Sequence, residues 1–321
     1  MSVLFLTESD VESLIDMPAS IEAVERAFVA LADGTAVNIP RARAKAPGFL
    51  LHSMSASAEY LGLAGWKNYT TTSQGARFHV AAYELDSGRM LALIQANRLG
   101  QLRTGAASGV ATRHLARPDA TVLGLLGTGW QAESQLEAIA CVRTLETVRV
   151  HSRDPERRRT FAEAMSRRLG LDVQAMDSAE AVVEGADIVS TATTSREPLF
   201  DGQLLANGSH LNIIGSNHLS KSESDVESIG GADLVACDRI DQCRIEAGEL
   251  AAASETGDWR WGDAIELADI VAGTRPGRTD DTQRTVFKSV GLAIEDVAMA
   301  AELIARARER GVGQPIPLDV D

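Results

Sequence analysis

The chain has 321 residues, 45% of them apolar and 24% charged, with 31 Lys and Arg against 45 Asp and Glu for a net charge of -14. That length and composition suit two globular domains with ample core material, and the acidic balance argues against a nucleic-acid partner, whose phosphates need clustered Lys and Arg. A basic pocket remains possible, because a small anion responds to the local charge of a cleft.

No run approaches the ~18 apolar residues of a membrane span. The opening MSVLFLTESDVESLI lacks a basic n-region, so a signal peptide is not expected and a cytoplasmic location is. Cys141, Cys237 and Cys243 form no CxxC pair, and the histidines form no HExxH or dense cluster. That usage fits a reducing compartment and no metal site.

In chain order, Thr7-Glu-Ser-Asp predicts a capped helix with Val11, Leu14 and Ile15 on one face, and Pro18 begins a second helix running to about Ala32. Asn38-Ile-Pro-Arg-Ala-Arg reads as a turn. Strand-like runs follow at residues 49–54, 63–69 and 78–84, and Asp86-Ser-Gly is a hairpin turn into residues 90–95. Helices plus a small antiparallel or mixed sheet are expected here. Residues 104–116 read as helical, and Arg117-Pro118-Asp119 punctuates.

From Ala120 strands and helices alternate. TVLGLLG precedes a helix over residues 130–141, and TVRVHS precedes a helix carrying Arg157, Arg158 and Arg159. Residues 171–175, 188–192, 211–214 and 234–237 supply further short strands. Interleaved strands and helices imply βαβ units and a parallel sheet. Residues 291–310 read as an amphipathic helix with no strand after it.

Between TVLGLLG and its helix stands Gly127-Thr128-Gly129-Trp130-Gln131-Ala132, a G-x-G-x-x-A. The first glycine allows the tight turn, the second lets backbone approach a pyrophosphate, and Ala132 lets helix and strand pack closely. The helix N-terminus offers N–H groups to the phosphates. The second strand ends at Ser152-Arg153-Asp154, with Ser152 where an NAD-specific chain often carries an acid. A hydroxyl followed by Arg153 suits a 2′-phosphate, so NADP(H) is slightly favoured and NAD(H) stays open, with Asp154 as a helix cap or a ribose ligand. Thr191, Ala192 and Thr193 end a later strand and would line the cofactor's path.

Three basic residues of the first part sit oddly: Arg41 after Pro40, Lys67 after LGLAGW, and Arg103 at the start of a helix whose next residues, Thr104 to Ser108, are small. Together with LHSM, IIGSN and VFKSVGLAIEDVAMA, the segments PRARA, GLAGWKNY, LRTGAASGVAT and LLGTGWQA resemble the ornithine cyclodeaminase/μ-crystallin family, in order and over nearly the whole chain.

The resemblance implies an α/β fold: a Rossmann-type dinucleotide-binding domain at residues 117–294, plus an α+β N-terminal substrate and dimerisation domain at residues 1–116. The C-terminal helix, within residues 295–321, returns to the latter. It implies that Arg41, Lys67 and Arg103 hold the substrate carboxylate and reacting carbon against the nicotinamide, with Asn217 as a fourth catalytic residue and His52, Met54 and His218 as substrate-binding residues. It places Thr104, Gly215, Ser216, Lys288 and Ser289 at the cofactor, no metal, and a homodimer. Paired guanidinium groups can grip a carboxylate, and a lysine between them should have a lowered pKa.

Members of the family that deaminate ornithine carry an aspartate where this chain has Asn217, and a glutamate where it has His52. Both changes remove a carboxylate and leave cations in excess, so a small anionic, amino-acid-like substrate is expected. The expected activity is NAD(P)H-dependent reduction of an α-imino or α-keto acid: pyrroline-2-carboxylate, piperideine-2-carboxylate or iminosuccinate. A cyclodeaminase and a non-catalytic, crystallin-like binding protein are the alternatives. His218 could instead cap the following turn.

Overall fold

The computed structural model describes residues 2–318. In chain order its elements are β1 (Val3–Leu6), α1 (Glu8–Leu14), α2 (Met17–Asp33), β2 (Ala36–Ala46), β3 (Phe49–Ala58), β4 (Leu63–Thr72), β5 (Gly75–Glu84), β6 (Met90–Gln95) and α3 (Asn97–Leu115). Next come β7 (Val122–Leu126), α4 (Trp130–Val142), β8 (Thr147–His151), α5 (Pro155–Leu169), β9 (Val173–Ala175), α6 (Glu180–Val183), β10 (Ile188–Thr191), β11 (His210–Ile213) and α7 (Val226–Gly230). The last are β12 (Leu234–Cys237), α8 (Ile240–Glu246), α9 (Gly248–Thr256), β13 (Ile265–Glu266), α10 (Leu267–Val271), β14 (Thr285–Lys288), α11 (Ala293–Arg310) and β15 (Gln314–Ile316).

Two compact units emerge, one holding the residues up to Arg103 and those from Gly291 onward, the other Thr104–Val290. The division falls inside α3. Of the segment 295–321 taken from the sequence as returning to the first domain, the last three residues lie outside the described ones.

The first unit is a mixed seven-stranded sheet of order β15-β1-β6-β5-β4-β3-β2, in which β2 to β6 form an antiparallel meander. Its inner face is covered by α11, which packs on β2 to β6 and on α1 and α2. Thr7 caps α1 in a capping box with Asp10, and Glu8 uses both carboxylate oxygens to accept from the Asn97 and Arg98 amides at the start of α3.

Three local expectations are corrected here. Residues 38–43 are not a turn but part of β2, where Pro40 and Arg41 together oppose Met54 as a bulge in an edge strand. Proline is tolerated at such a site because no ladder hydrogen bond needs its missing N–H. Lys67 lies within β4, inside the strand-like run 63–69. Helix α3 starts at Asn97, so Arg103 occupies its second turn instead of opening it. Finally, a strand does follow the last helix: β15 pairs antiparallel with β1. It is too short to show a period of two.

The second unit is an all-parallel sheet of order β13-β12-β14-β11-β10-β7-β8-β9, a doubly wound Rossmann-type arrangement. Strand order reverses at β7, so the switch point lies beyond the carboxyl ends of β7 and β10, where such folds bind ligands. Apolar clusters cover both faces of the sheet, one around Leu123, Leu136, Val148 and Phe161, the other around Val189, Leu211, Ile229 and Leu250. Gly105 of α3 packs on Ser134 of α4 so closely that a Cβ would strike the Ser134 carbonyl. Among the described residues, no helix is long and apolar enough to cross a membrane, and no group of His, Cys, Asp and Glu could hold a metal ion.

Candidate functional site

Sheet register builds the cationic cluster of the first unit. Side chains two apart on a strand share a face, so His52 and Met54 of β3, Lys67 and Tyr69 of β4, and Phe78 and Val80 of β5 line up in two adjacent rows across the inner face. In the first row, His52 stacks on Tyr69 with centroids 4.0 Å apart, and Tyr69 on Phe78 at 4.7 Å. In the second, Lys67 lies between Met54 and Val80. The bulge at Pro40 turns Arg41 inward to join them, its guanidinium 6.0 Å from the Tyr69 ring centre. Arg41, His52, Met54, Lys67, Tyr69 and Arg103 are all buried.

Helix α11 brings two carboxylates that are not among the site residues expected from the sequence. Glu295 Oε2 accepts from Arg103 Nη1 at 2.8 Å, and Asp296 Oδ1 accepts from Lys67 Nζ at 2.8 Å and lies 3.5 Å from Arg103 Nε. The expected excess of cations is reduced to one charge: Arg103 meets Glu295 and Lys67 meets Asp296, so Arg41, Lys67 and Arg103 stand against two acids. The signal that could have found them is an acid pair at the start of the otherwise apolar helix GLAIEDVAMA, every residue of which is buried. Glycines allow the close approach. A Cβ at Gly65 would lie 2.5 Å from the Ala81 carbonyl oxygen and 2.9 Å from Val297, and one at Gly291 would lie 2.6 Å from Arg103 Nη1.

Burial pushes the Lys67 ammonium down to about 8, with Arg103 and Arg41 acting the same way and Asp296 opposing them. Burial, then Arg43 and Arg41, push His52 down to about 4, so His52 is neutral near pH 7 and adds no charge to the cluster. Arg103 is held firmly protonated by Asp296 and Glu295 against its burial.

The second unit carries the glycine loop. Gly127 takes φ +114°, and a Cβ there would lie 2.5 Å from the Ala192 carbonyl oxygen. Gly129 is the N-cap of α4 and makes no side-chain cap hydrogen bond, and a helix N-terminus of this kind suits a phosphate. Thr128 donates to Ser152 Oγ at 2.8 Å, tying this loop to the end of β8, and the Arg157 guanidinium lies 3.8 Å from a Cβ built on Gly129. Trp130 is exposed, Gln131 accepts from the Ser134 hydroxyl, and Arg153 is exposed at the start of the β8–α5 loop. These residues fit a dinucleotide: a turn that only glycine permits, an uncapped helix N-terminus, and basic side chains beside the ribose-reading strand end. Asp154 caps α5 by accepting from the Glu156 and Arg157 amides.

Beyond β10 and β11 a buried carboxylate, also unforeseen, organises the loops. Glu223 accepts from Thr191 Oγ1 at 2.9 Å, from the Thr193 amide and hydroxyl at 2.6 and 2.7 Å, and from the Gly215 amide at 2.6 Å. Glu249 accepts from the Glu223 amide and pairs with Lys288, which donates to the Ser216 carbonyl at 2.8 Å. Ser289 donates to Asp238, and the Thr104 carbonyl accepts from Gln135. Lys288 is thus a buried brace under the loop that carries Gly215 and Ser216, and buried Ser289 is tied to Asp238. Asn217 is half-buried, whereas exposed His218 accepts at Nδ1 from the Ser220 amide at 3.2 Å, a cap on its own turn.

Residues 1–311 match the profile of the ornithine cyclodeaminase/mu-crystallin family. The chain belongs to this family. Three solved structures illustrate the likeness. Δ1-pyrroline-2-carboxylate reductase from Thermococcus litoralis, in complex with NADH and L-proline, is 34% identical with a TM-score of 0.94, covering 98% of this chain and 100% of that one. An archaeal alanine dehydrogenase, a dimer with bound NAD, is 30% identical with a TM-score of 0.93, covering 99% and 100%. The iminosuccinate reductase of Paracoccus denitrificans, in complex with NAD+, is 27% identical with a TM-score of 0.93, covering 99% and 100%.

Proposed function

We propose that the chain is an NAD(P)H-dependent reductase of α-imino or α-keto acids that yields an L-amino acid. The observation that carries this reading is Lys67, buried beside Arg41 and Arg103 with its pKa lowered toward neutrality. Such a group can give up a proton during the reaction, and the guanidinium groups beside it suit a carboxylate. The single net positive charge of the cluster matches one carboxylate. Neutral His52 offers no cation for a second, which favours cyclic imines such as pyrroline-2-carboxylate or piperideine-2-carboxylate over iminosuccinate. Asn217 has no carboxylate to receive the side-chain amine of ornithine, which weighs against a cyclodeaminase.

In this reading a bound dihydronicotinamide supplies the hydride. Arg41 and Arg103 hold the substrate carboxylate, Lys67 Nζ gives the proton to the imine nitrogen, and the stacked His52, Tyr69 and Phe78 form an apolar wall beside the substrate's carbon skeleton. The glycine loop, α4 and the loops held by Glu223 bind the cofactor. Ser152, Arg153 and Arg157 favour NADP(H) over NAD(H), though the relatives named above carry NADH, NAD or NAD+. The reduction of pyrroline-2-carboxylate gives proline, the molecule bound with NADH in the Thermococcus litoralis relative. We further propose a cytoplasmic homodimer.

The test is a spectrophotometric screen of imino and keto acids with NADPH and NADH, alongside ammonia release from ornithine and lysine. Oxidation of NADPH by a cyclic imino acid is expected. No turnover with any acid overturns the reductase reading, ammonia release without net cofactor change points to the cyclodeaminase, and equal or better use of NADH overturns the NADP(H) preference alone.

A further inference from the structure

The first turn of α11 places two acids side by side, Glu295 and Asp296, and the helix separates their tasks. Neighbouring residues on an α-helix point about 100° apart. Accordingly Glu295 meets Arg103 and Asp296 meets Lys67. Every residue of residues 291–300 is buried, and the Asn38 side chain of β2 accepts from the Ile294 amide at 3.2 Å, so this end of the helix has no room to turn.

The charged and titratable groups around Lys67 are Arg41 from β2, His52 from β3, Tyr69 from β4, Arg103 from α3, and Glu295 and Asp296 from α11. The cations among them, and burial, favour loss of the lysine proton; Asp296 touches Nζ directly and opposes them. Its Oδ1 is also within 3.5 Å of Arg103 Nε, so the same atom aligns the proton donor with a guanidinium of the cluster. Its Oδ2 is buried and accepts no hydrogen bond among the described residues.

We propose that Asp296 is the positioning residue that keeps Lys67 protonated and aims its Nζ at the imine nitrogen, an assignment that rests on the reductase reading above. During reduction, the hydride's electron pair makes the new C–H bond and the C=N π pair moves to nitrogen. Nitrogen then takes the proton from Lys67 Nζ. Lys67 is left neutral beside Asp296 and regains a proton from water after the product leaves.

The experiment compares wild type with Asp296→Asn, Asp296→Glu and Glu295→Gln by the pH dependence of kcat/KM for imine reduction. It also includes a lysine-selective NMR titration of Lys67 in the protein without cofactor. In wild type, kcat/KM falls at alkaline pH as Lys67 loses its proton. Asp296→Asn is expected to move that limb and the Lys67 titration down by about one unit or more and to lower kcat roughly 10-fold or more. Asp296→Glu retains the charge and is expected to hold the limb within about half a unit of wild type while kcat falls. Glu295→Gln is expected to raise KM for the acid and leave the limb in place. An unmoved limb and titration in Asp296→Asn overturn the proposal, as does an equal shift in Asp296→Glu or Glu295→Gln. If no imino acid is turned over by wild type, the reductase reading falls, and the Lys67 titration still decides whether Asp296 sets its proton.

Discussion

His52 shows how a neighbouring strand can decide what one residue does. It sits opposite Tyr69 in the ladder, its ring stacked within 4° of parallel, and burial holds its pKa near 4 against an ordinary 6.5. As pH falls from about 6.5 toward 4, the unfolded chain takes up a proton that the native ring refuses, so stability falls through that window and levels below it. Buried His210, pushed to about 3 and held by Thr285 and Asn212, acts in the same direction. His52→Phe keeps the stacked ring and removes one of these two terms. Its urea midpoint should therefore drop less between pH 7 and about pH 4.5 than that of wild type. An equal drop would show that His52 titrates normally in the fold.

Element by element, the cationic cluster depends on how closely α11 lies on the meander. Gly65 of β4 is two residues from Lys67 and directly beneath Val297 of α11, with the Ala81 carbonyl also against it. Gly65→Ala should push helix and sheet apart, costing about 1–3 kcal/mol by overpacking, and should lengthen the Lys67–Asp296 contact. The expected result is a lowered Tm together with a loss of turnover larger than the stability change explains, measured well below the melting range. Unchanged turnover would mean that α11 is not what sets the cluster. The bulge in β2 makes a parallel point: PRARA looks like a turn locally, yet as an edge strand it turns Arg41 inward while its neighbours continue the ladder. Strand-like runs bounded by turns marked β3, β4 and β5, whereas β1, β13, β14 and β15 are too short, or too uniformly buried, to announce themselves.

At the scale of the molecule, the outer face of β2 and β3 carries Val37 and Ile39, each 52% exposed, with Phe49 and Leu51 on the adjoining strand. An apolar strip on a long edge strand invites pairing between chains, so the homodimer proposed above would bury it. Val37→Glu with Ile39→Glu should give a monomer by sedimentation. A dimer that persists in the double variant would place the interface elsewhere.

The sequence by itself determined the Rossmann-type half, because a parallel sheet repeats its signals locally: apolar runs, helical periods and a glycine loop whose spacing is set by backbone sterics. It also named the three cations, through motifs each contained in a few residues. Only the tertiary structure decided their chemistry. Glu295 and Asp296 lie about 190 residues or more beyond Arg103 and Lys67, and Glu223 spans the ends of two strands. Carboxylates that pair across such distances look, residue by residue, like any others in an acidic chain. Their burial beside cations, which turns an excess of positive charge into a single one, exists only once the strands are in register and α11 has packed on them.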